Sequence, residues 1–413
     1  MRDSLQVEKK KRDSSIDYFR SFLMLLVVWH HATLAYSTSG SGVLIADNAT
    51  FVGFDLIALY NDVFFMFAFF FISGLFSYRA LRKKGTLVYL EERLIRLLLP
   101  FGFGTLLLNP IAHYFSTIKG EGKSASFSGY GCYFVQNFGR IEANHLWFLW
   151  VLFLFSLVLI LYAAVKQEGS RLFAGKVDGY LTKAAHFFLA MLVIGVLVFL
   201  PLRNVANGGF VTILKPFNMQ LSRILLYLLF FIAGNIVGTF GIKKSFFYQD
   251  KFQKKWWIWC GLSLFLTACN VVIHVIQEGM GIGITKSIVL AVEQCMVVPI
   301  SILALYGFLS FFMRYSKKEN KWMDLLAKEA MGIYVIHYAV VTVLQYVFTF
   351  LLLPAVLKGI LVMIITVLLS LAAVIFLKKI PLIGTVFGRE YQASERKILT
   401  AVTILMLLAL IIL

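Results

Sequence analysis

The chain reads as a succession of apolar runs, each close to the length of a bilayer crossing, separated by shorter polar stretches. A membrane helix needs about 20 mostly apolar residues, rising about 1.5 Å each. Eleven runs approach or meet that length: 17–36, 55–78, 97–117, 146–165, 185–202, 220–241, 256–277, 287–311, 330–353, 359–377 and 398–413. The predicted fold class is all-α, a polytopic transmembrane helix bundle of 10 or 11 spans. The last run holds roughly 16 residues, so it either crosses the bilayer or lies at its periphery. The longest hydrophilic stretch is too short to bury a core of its own. Residues 1–413 are therefore expected to form a single integral membrane domain behind a short basic tail, 1–15. Any chemistry must be done by the bundle.

Composition agrees with this pattern. Hydrophobic residues make up 60% of the chain and the mean hydropathy is +0.82. The net charge of +18 raises the question of nucleic acid, and the distribution of charge answers it. With the N-terminus inside, the inner segments hold 31 of the 39 Lys and Arg residues. That is the asymmetry of the positive-inside rule. It predicts a cytoplasmic N-terminus and removes nucleic acid as a partner. The four cysteines form no CxxC pair and no ligand spacing, so neither a disulfide framework nor a metal site is expected. Lys9–Arg12 followed by an apolar run also describes a signal peptide. The length of the run, Arg20 within it and two histidines at its end favour an uncleaved first helix.

Polar residues inside the apolar runs carry the candidate chemistry, because ionisable groups in a span are costly and usually functional. Arg20 and His31 are eleven residues apart, about 20° from a whole number of helical turns, so both project from one face. They are separated by about 16 Å along the axis, while His30 points roughly 80° away. Arg93 and Arg96, three residues apart ahead of Pro100, are expected to share a face. They either snorkel at the inner surface or form a guanidinium pair for phosphate. The outer loop 118–145 carries Glu142 and His145 and ends in Asn144, which suits a helix N-cap, and Trp147 and Trp150, which suit an interfacial belt. Glu293 lies deep in the eighth run and must be protonated, paired or beside water. His337 lies inside the ninth. For His145, Glu293 and His337 a plain hydrogen-bonded packing role is as well supported as a functional one. Ser73-Gly74 permits a close helix approach, and Asn235, Asn270 and His274 read as interhelical hydrogen-bonding residues. A basic inner entrance of Arg20, Arg93, Arg96 and Lys83-Lys84 suits a phosphate-bearing ligand, and an aligned histidine further out suits a general base or nucleophile.

Five blocks resemble a known family. Arg20-x10-His31 looks like the first-helix signature of the membrane acyltransferase-3 family, and FFFISGLFSY at 69–78 looks like its second-helix motif. Arg93-x-x-Arg96 before Pro100, HLWFL at 145–149 and GIYVIHY at 332–338 match three further blocks in the family order. DYFRSFLMLL, FFISGLFSY and HLWFLW are particularly similar to the branch containing the periplasmic glucan succinyltransferases. The resemblance implies an acyl-CoA-dependent O-acyltransferase of the bacterial inner (plasma) membrane, acting in polysaccharide modification at the cell envelope. It would move an acyl group, acetyl or succinyl, from cytosolic acyl-CoA to a hydroxyl of an extracytoplasmic glycan or lipid, with acyl-CoA as co-substrate and no tightly bound cofactor. It implies that His31 is catalytic and that Arg20, Arg93 and Arg96 line the donor side. His145, Glu142, Glu293 and His337 are candidates for acceptor-side or supporting roles. Asp55, Asp62, Glu142 and Glu293 each qualify as an acidic partner for His31. The alternative from a different class is a transporter or flippase for an anionic glycan or lipid, with Glu293 and His337 as a proton relay.

Overall fold

The structure is a computed structural model that describes residues 14–40, 42–137, 142–165, 181–280 and 283–412. The basic run at 9–12 lies outside the described residues. Each of the eleven apolar runs falls on a helix. The first is α1 (Ser15–Leu34), and the second is broken into α2 (Val52–Asp62) and α3 (Phe65–Lys84). The third is assembled from α4 (Thr86–Arg93), α5 (Leu99–Phe103) and α6 (Asn109–Glu121) through two π-helical segments, Leu94–Leu98 and Gly104–Leu108. After α7 (Phe127–Gln136) come α8 (Trp147–Val165) and α9 (Ala184–Phe199). A small antiparallel hairpin, β1 (Val211–Leu214) and β2 (Phe217–Met219), precedes α10 (Ile224–Phe240) and α11 (Trp256–Glu278). The eighth run divides into α12 (Ile284–Cys295) and α13 (Val297–Tyr315), followed by α14 (Lys321–Phe348), α15 (Ala355–Leu377) and α16 (Ala393–Ile412). The fold is the expected all-α polytopic bundle. Among the described residues, eight helical stretches are long and apolar enough to cross a membrane. The first helix falls outside that set because Asp17, Arg20, His30 and His31 dilute it.

Both π-helical segments end just before an X-Pro pair, Leu99-Pro100 and Asn109-Pro110. Proline removes an amide donor and its ring crowds the carbonyl four residues back, so the turn ahead of it widens. The ninth run begins earlier than hydropathy predicts. Asn320 Oδ1 accepts from the amides of Trp322 at 3.0 Å and Met323 at 3.2 Å, an N-cap that starts α14 about two charge-bearing turns ahead of the apolar run.

Two packings position the site. In the first, α1 and α14 lie side by side. Tyr18 Oη donates to Asp324 Oδ1 at 2.7 Å, Arg20 donates to the Ala327 carbonyl at 3.2 Å, and the His31 and His337 rings are 5.4 Å apart. Tyr18 to His31 and Asp324 to His337 are the same 13 residues, so the helices run parallel and in step for about 20 Å. The end of the bundle holding Tyr18 is called the near end and the other the far end. At the far end, the segment after α1 is tied down by a buried ion pair. Lys358 Nζ lies 3.0 and 2.8 Å from the two Asp47 oxygens, with both side chains 4% exposed.

In the second packing, α3 and α10 touch backbone to backbone. A Cβ on Gly74 would fall 2.1 Å from the Phe231 carbonyl oxygen, and one on Gly234 2.0 Å from that of Phe71. Gly238 meets the Leu75 carbonyl oxygen in the same way, at 2.0 Å. Asn235 Oδ1 accepts from the Tyr78 amide across this seam at 3.0 Å. Small residues allow such approaches where the bilayer supplies no hydrophobic drive between helices. Trp147 and Trp150 are buried rather than placed in an interfacial belt. Trp147 packs on Tyr227 and Phe210, and Trp150 donates to the Asn218 carbonyl at 2.8 Å. At the C-terminal end, α16 packs on α5, with Met406 against Gly102.

The seam makes a direct prediction. Gly238→Ala must force α3 and α10 apart and should lower the stability of the detergent-solubilised protein by about 2 kcal/mol or more. Gly261→Ala, at a helical position with open space around it, should be neutral or slightly stabilising. Thermal unfolding of the two variants checks this, and equal unfolding temperatures would rule out the close seam.

Candidate active site

Three helical elements each bring one histidine to the same place. His31 comes from the last turns of α1, His337 from the middle of α14, and His145 from the 3-10 turn Asn144–Leu146 that opens α8. The ring centroids are 5.4 Å apart for His31–His337, 6.2 Å for His31–His145 and 4.7 Å for His145–His337. Tyr338 closes the group, with its ring 5.1 Å from His31 and 4.9 Å from His145.

Hydrogen bonding decides which nitrogens are available. His337 Nδ1 lies 2.7 Å from the Tyr334 carbonyl oxygen and His145 Nε2 lies 3.0 Å from the same oxygen. A carbonyl only accepts, so both nitrogens carry the proton. The neutral rings then present His337 Nε2 and His145 Nδ1 as bare acceptors, and both atoms are buried without a partner. Tyr334 Oη donates back to the His145 carbonyl at 2.5 Å, so the two segments clasp each other. The His31 ring has no hydrogen-bond partner among the described residues. Gln345 Nε2 holds the helix beneath it by donating to the His31 carbonyl at 2.7 Å. The arrangement is an imidazole cluster in which His31 has its ring free and its two neighbours each donate to the Tyr334 carbonyl.

The expected alignment on α1 is present, since Arg20 and His31 both face α14. Arg20 is half exposed at the near end and lies 3.3 Å from Asp17. His30 points elsewhere, toward Phe65 at 5.6 Å, with its Nδ1 buried and unpartnered. The expectation that Arg93 and Arg96 share a face is corrected. Arg93 ends α4, donates to Ser77 Oγ at 3.1 Å and lies 4.9 Å over the Tyr89 ring. Arg96 sits in the first π-helical segment, is exposed, and acts on Tyr391 instead. The wider turn rotates each residue less, so positions three apart no longer return to one face.

None of the four carboxylates considered for His31 bonds to it. Asp55 accepts from Thr38 and Ser39, Asp62 pairs with Arg223 at 2.7 Å, and Glu293 pairs with His274 at 2.9 Å. The Glu142 side chain is exposed and its carboxylate is close enough to act on Tyr338. Its carbonyl accepts from Asn109 at 2.7 Å. Glu293 and His337 therefore belong to different clusters and share no partner, so a proton relay between them has no direct link. Asn144 bonds His113 at 2.9 Å and does not cap α8. Tyr334 and Tyr338 were not singled out in the sequence; a spacing of three puts Tyr334 on the face of His337, whereas Tyr338, one residue on, lies about 100° round the helix and no local period signals it. Among the described residues, no group of three or more histidine, cysteine or acidic side chains could hold a metal ion.

A bundle of membrane helices with three histidines meeting in its interior defines the class as an integral membrane protein. Comparison with known families takes this further. The family model for the Acyl_transf_3 acyltransferase domain matches residues 13–377. The chain belongs to the acyltransferase-3 family, and this bundle is its acyltransferase domain. Similar curated proteins include glucans biosynthesis protein C from Escherichia coli (strain K12) and from Shigella boydii serotype 4 (strain Sb227). Each is 26% identical over 246 residues, which is 57% of this chain and 61% of the relative. The chain thus covers about three fifths of those relatives. No solved structure matches.

The divergence of the two arginines can be measured apart from activity. Arg93→Ala removes the bond to Ser77 and the stacking on Tyr89, and should cost about 1–3 kcal/mol. Arg96→Ala, at an exposed position, should stay within about 0.5 kcal/mol of the parent protein. Thermal unfolding of the two variants in detergent compares them, and equal losses would show that the arginines share an environment.

Proposed function

We propose that the protein transfers an acyl group from acyl-CoA, bound at the near end, to a hydroxyl of an extracytoplasmic glycan that reaches His31 from the far end. The observation that carries this reading is the meeting of His31 with His145 and His337 on the helix face that also holds Arg20. The concentration of Lys and Arg in alternate loops supports a cytoplasmic near end. The name of the curated relatives, glucans biosynthesis protein C, favours a glycan over a lipid.

In this reading His31 is the general base. It takes the proton from the acceptor hydroxyl as the oxygen attacks the thioester carbonyl. The C–S bond then breaks, and the imidazolium returns its proton to the departing thiolate of coenzyme A. His337 Nε2 and His145 Nδ1 are bare acceptors beside His31, suited to receive its other N–H and hold the base nitrogen toward substrate. Guanidinium groups at the near end suit the phosphates of coenzyme A. Arg20 lies about 16 Å along the axis from His31, and the flexible pantetheine arm spans that interval.

The test uses the full-length protein in proteoliposomes with labelled acyl-CoA. His31→Ala should lower transfer by about 10²–10⁴-fold, the usual contribution of a positioned base, while His30→Ala retains most of it. His337→Gln should lower kcat with little effect on the KM for acyl-CoA. Unchanged transfer in His31→Ala would remove the assignment, and transport of an unmodified substrate in place of acyl transfer would remove the reading itself.

A further inference from the structure

A second polar site lies beside His30, outside the imidazole cluster. The second run breaks at Val63-Phe64, between α2 and α3, where Phe64 has φ −141° and ψ −36°. The break frees the Asp62 carbonyl, which accepts from Arg223 Nη1 at 3.0 Å. The same nitrogen donates to Asp62 Oδ2 at 2.7 Å. The Asp62 side chain is 47% exposed and that of Arg223 17%. Broken backbone and a half-exposed carboxylate at the level of His30 are tolerated only where protein buries them or water fills a cavity. The carboxylate is close enough for its charge to act on His30, whose ring is 5.4 Å from that of His31.

The surroundings are incomplete in a particular way. Asn61 Nδ2, Ser222 Oγ and Asn218 Oδ1 flank the pair in sequence and are all buried without a partner. Asn61 is 3% exposed and Ser222 2%. Buried polar atoms are rarely left unpaired, and each one that is asks for a ligand or water. Asp62 Oδ1 has no hydrogen-bond partner among the described residues. Arg223 in turn reaches Tyr227, whose hydroxyl donates to Gln220 Oε1 at 2.8 Å. Tyr227 leads through Trp147, at 5.6 Å, to the half-exposed ring of Phe210, 5.4 Å further on.

We infer that the Asp62–Arg223 pair, joined through Tyr227 and Trp147 to the exposed ring of Phe210, is part of the recognition surface for a neutral, polyhydroxylated glycan. The opposite charges cancel, so the site has no net attraction for an anion or a cation. It offers a carboxylate oxygen and several unpaired donors and acceptors to hydroxyl groups, and an aromatic face to the C–H side of a sugar ring. Charge-assisted bonds of this kind are the strong ones in recognition. The site rests on the proposed function for its purpose: it holds the acceptor with one hydroxyl directed past His30 to His31.

The experiment uses the full-length protein in lipid nanodiscs and two linear glucose oligosaccharides, cellohexaose and laminarihexaose. Binding is read by calorimetry and by tryptophan fluorescence, with no acyl-CoA present. The parent protein should bind at least one of them. Asp62→Asn/Arg223→Gln keeps a hydrogen-bonded pair of similar shape without charge, and should unfold near the parent temperature while binding roughly tenfold or more weakly. Phe210→Ala, on an exposed ring, should also weaken binding and leave unfolding unchanged. His31→Ala should bind as the parent does and fail to transfer. Equal affinity in the double variant and the parent, or no binding of either sugar by the parent, would overturn the inference. Binding that depends on Asp62 without any acyl transfer would leave this site standing and remove the proposed function.

Discussion

The carbonyl oxygen of Tyr334 accepts from two imidazoles, and much of the centre of this bundle follows from that. A buried imidazole N–H without an acceptor costs about 1–3 kcal/mol. His337 and His145 meet that demand at the same oxygen, at 2.7 and 3.0 Å. The shared acceptor seats the start of α8 on α14, and the Tyr334 hydroxyl returns a bond to the His145 carbonyl. It also fixes both tautomers, leaving the unprotonated nitrogens as the free ones. His31 meets this prepared surface because α1 and α14 advance in step from Tyr18–Asp324 upward.

The helices were legible in the sequence because a membrane helix is written in its apolar length. All eleven runs fall on helices, and the face shared by Arg20 and His31 follows from helix phase alone. The turning of His30 away from that face also follows from helix phase, and its ring lies toward Phe65. Other features depend on what only packing decides. The parting of Arg93 from Arg96 needs a π-helical turn, whose one sequence sign is the Leu99-Pro100 pair. Trp147 and Trp150 look like interfacial residues by position, yet aromatic neighbours and the Asn218 carbonyl bury them. The start of α14 was hidden because Lys321, Asp324, Lys328 and Glu329 break up the apolar run there, and the Asn320 cap marks it. The meeting of His145 with His337, and of Glu293 with His274, joins residues far apart in the chain, and no local period reports such pairings.

The distribution of carboxylates shapes what the cluster can do. Asp62 and Glu293 are held by Arg223 and His274, and Asp55 by the Thr38-Ser39 turn. Among the described residues, His31, His145 and His337 therefore have no anion bonded to them. A paired carboxylate would stabilise a protonated His31 and slow its return of the proton. Neutral acceptors orient the ring without trapping the charge. In the proposed reaction that suits a base which must give its proton to a leaving thiolate within the same turnover.

Irregular backbone is concentrated in the two spans that flank the site. The second is cut at Asp62, and the third contains two π-helical segments ahead of prolines. A regular helix satisfies its own backbone groups and turns them away from any ligand. The cut exposes the Asp62 carbonyl to Arg223, and the widened turn sends Arg93 inward to Ser77 and Arg96 outward. Such departures persist in a bilayer only where protein or water meets the freed groups. The regular helices α1 and α14 carry His31 and His337, while the breaks fall in the second and third spans. In the proposed reaction, rigid placement of the base and access for two substrates are opposing demands, and a division of labour between regular and broken spans would meet both.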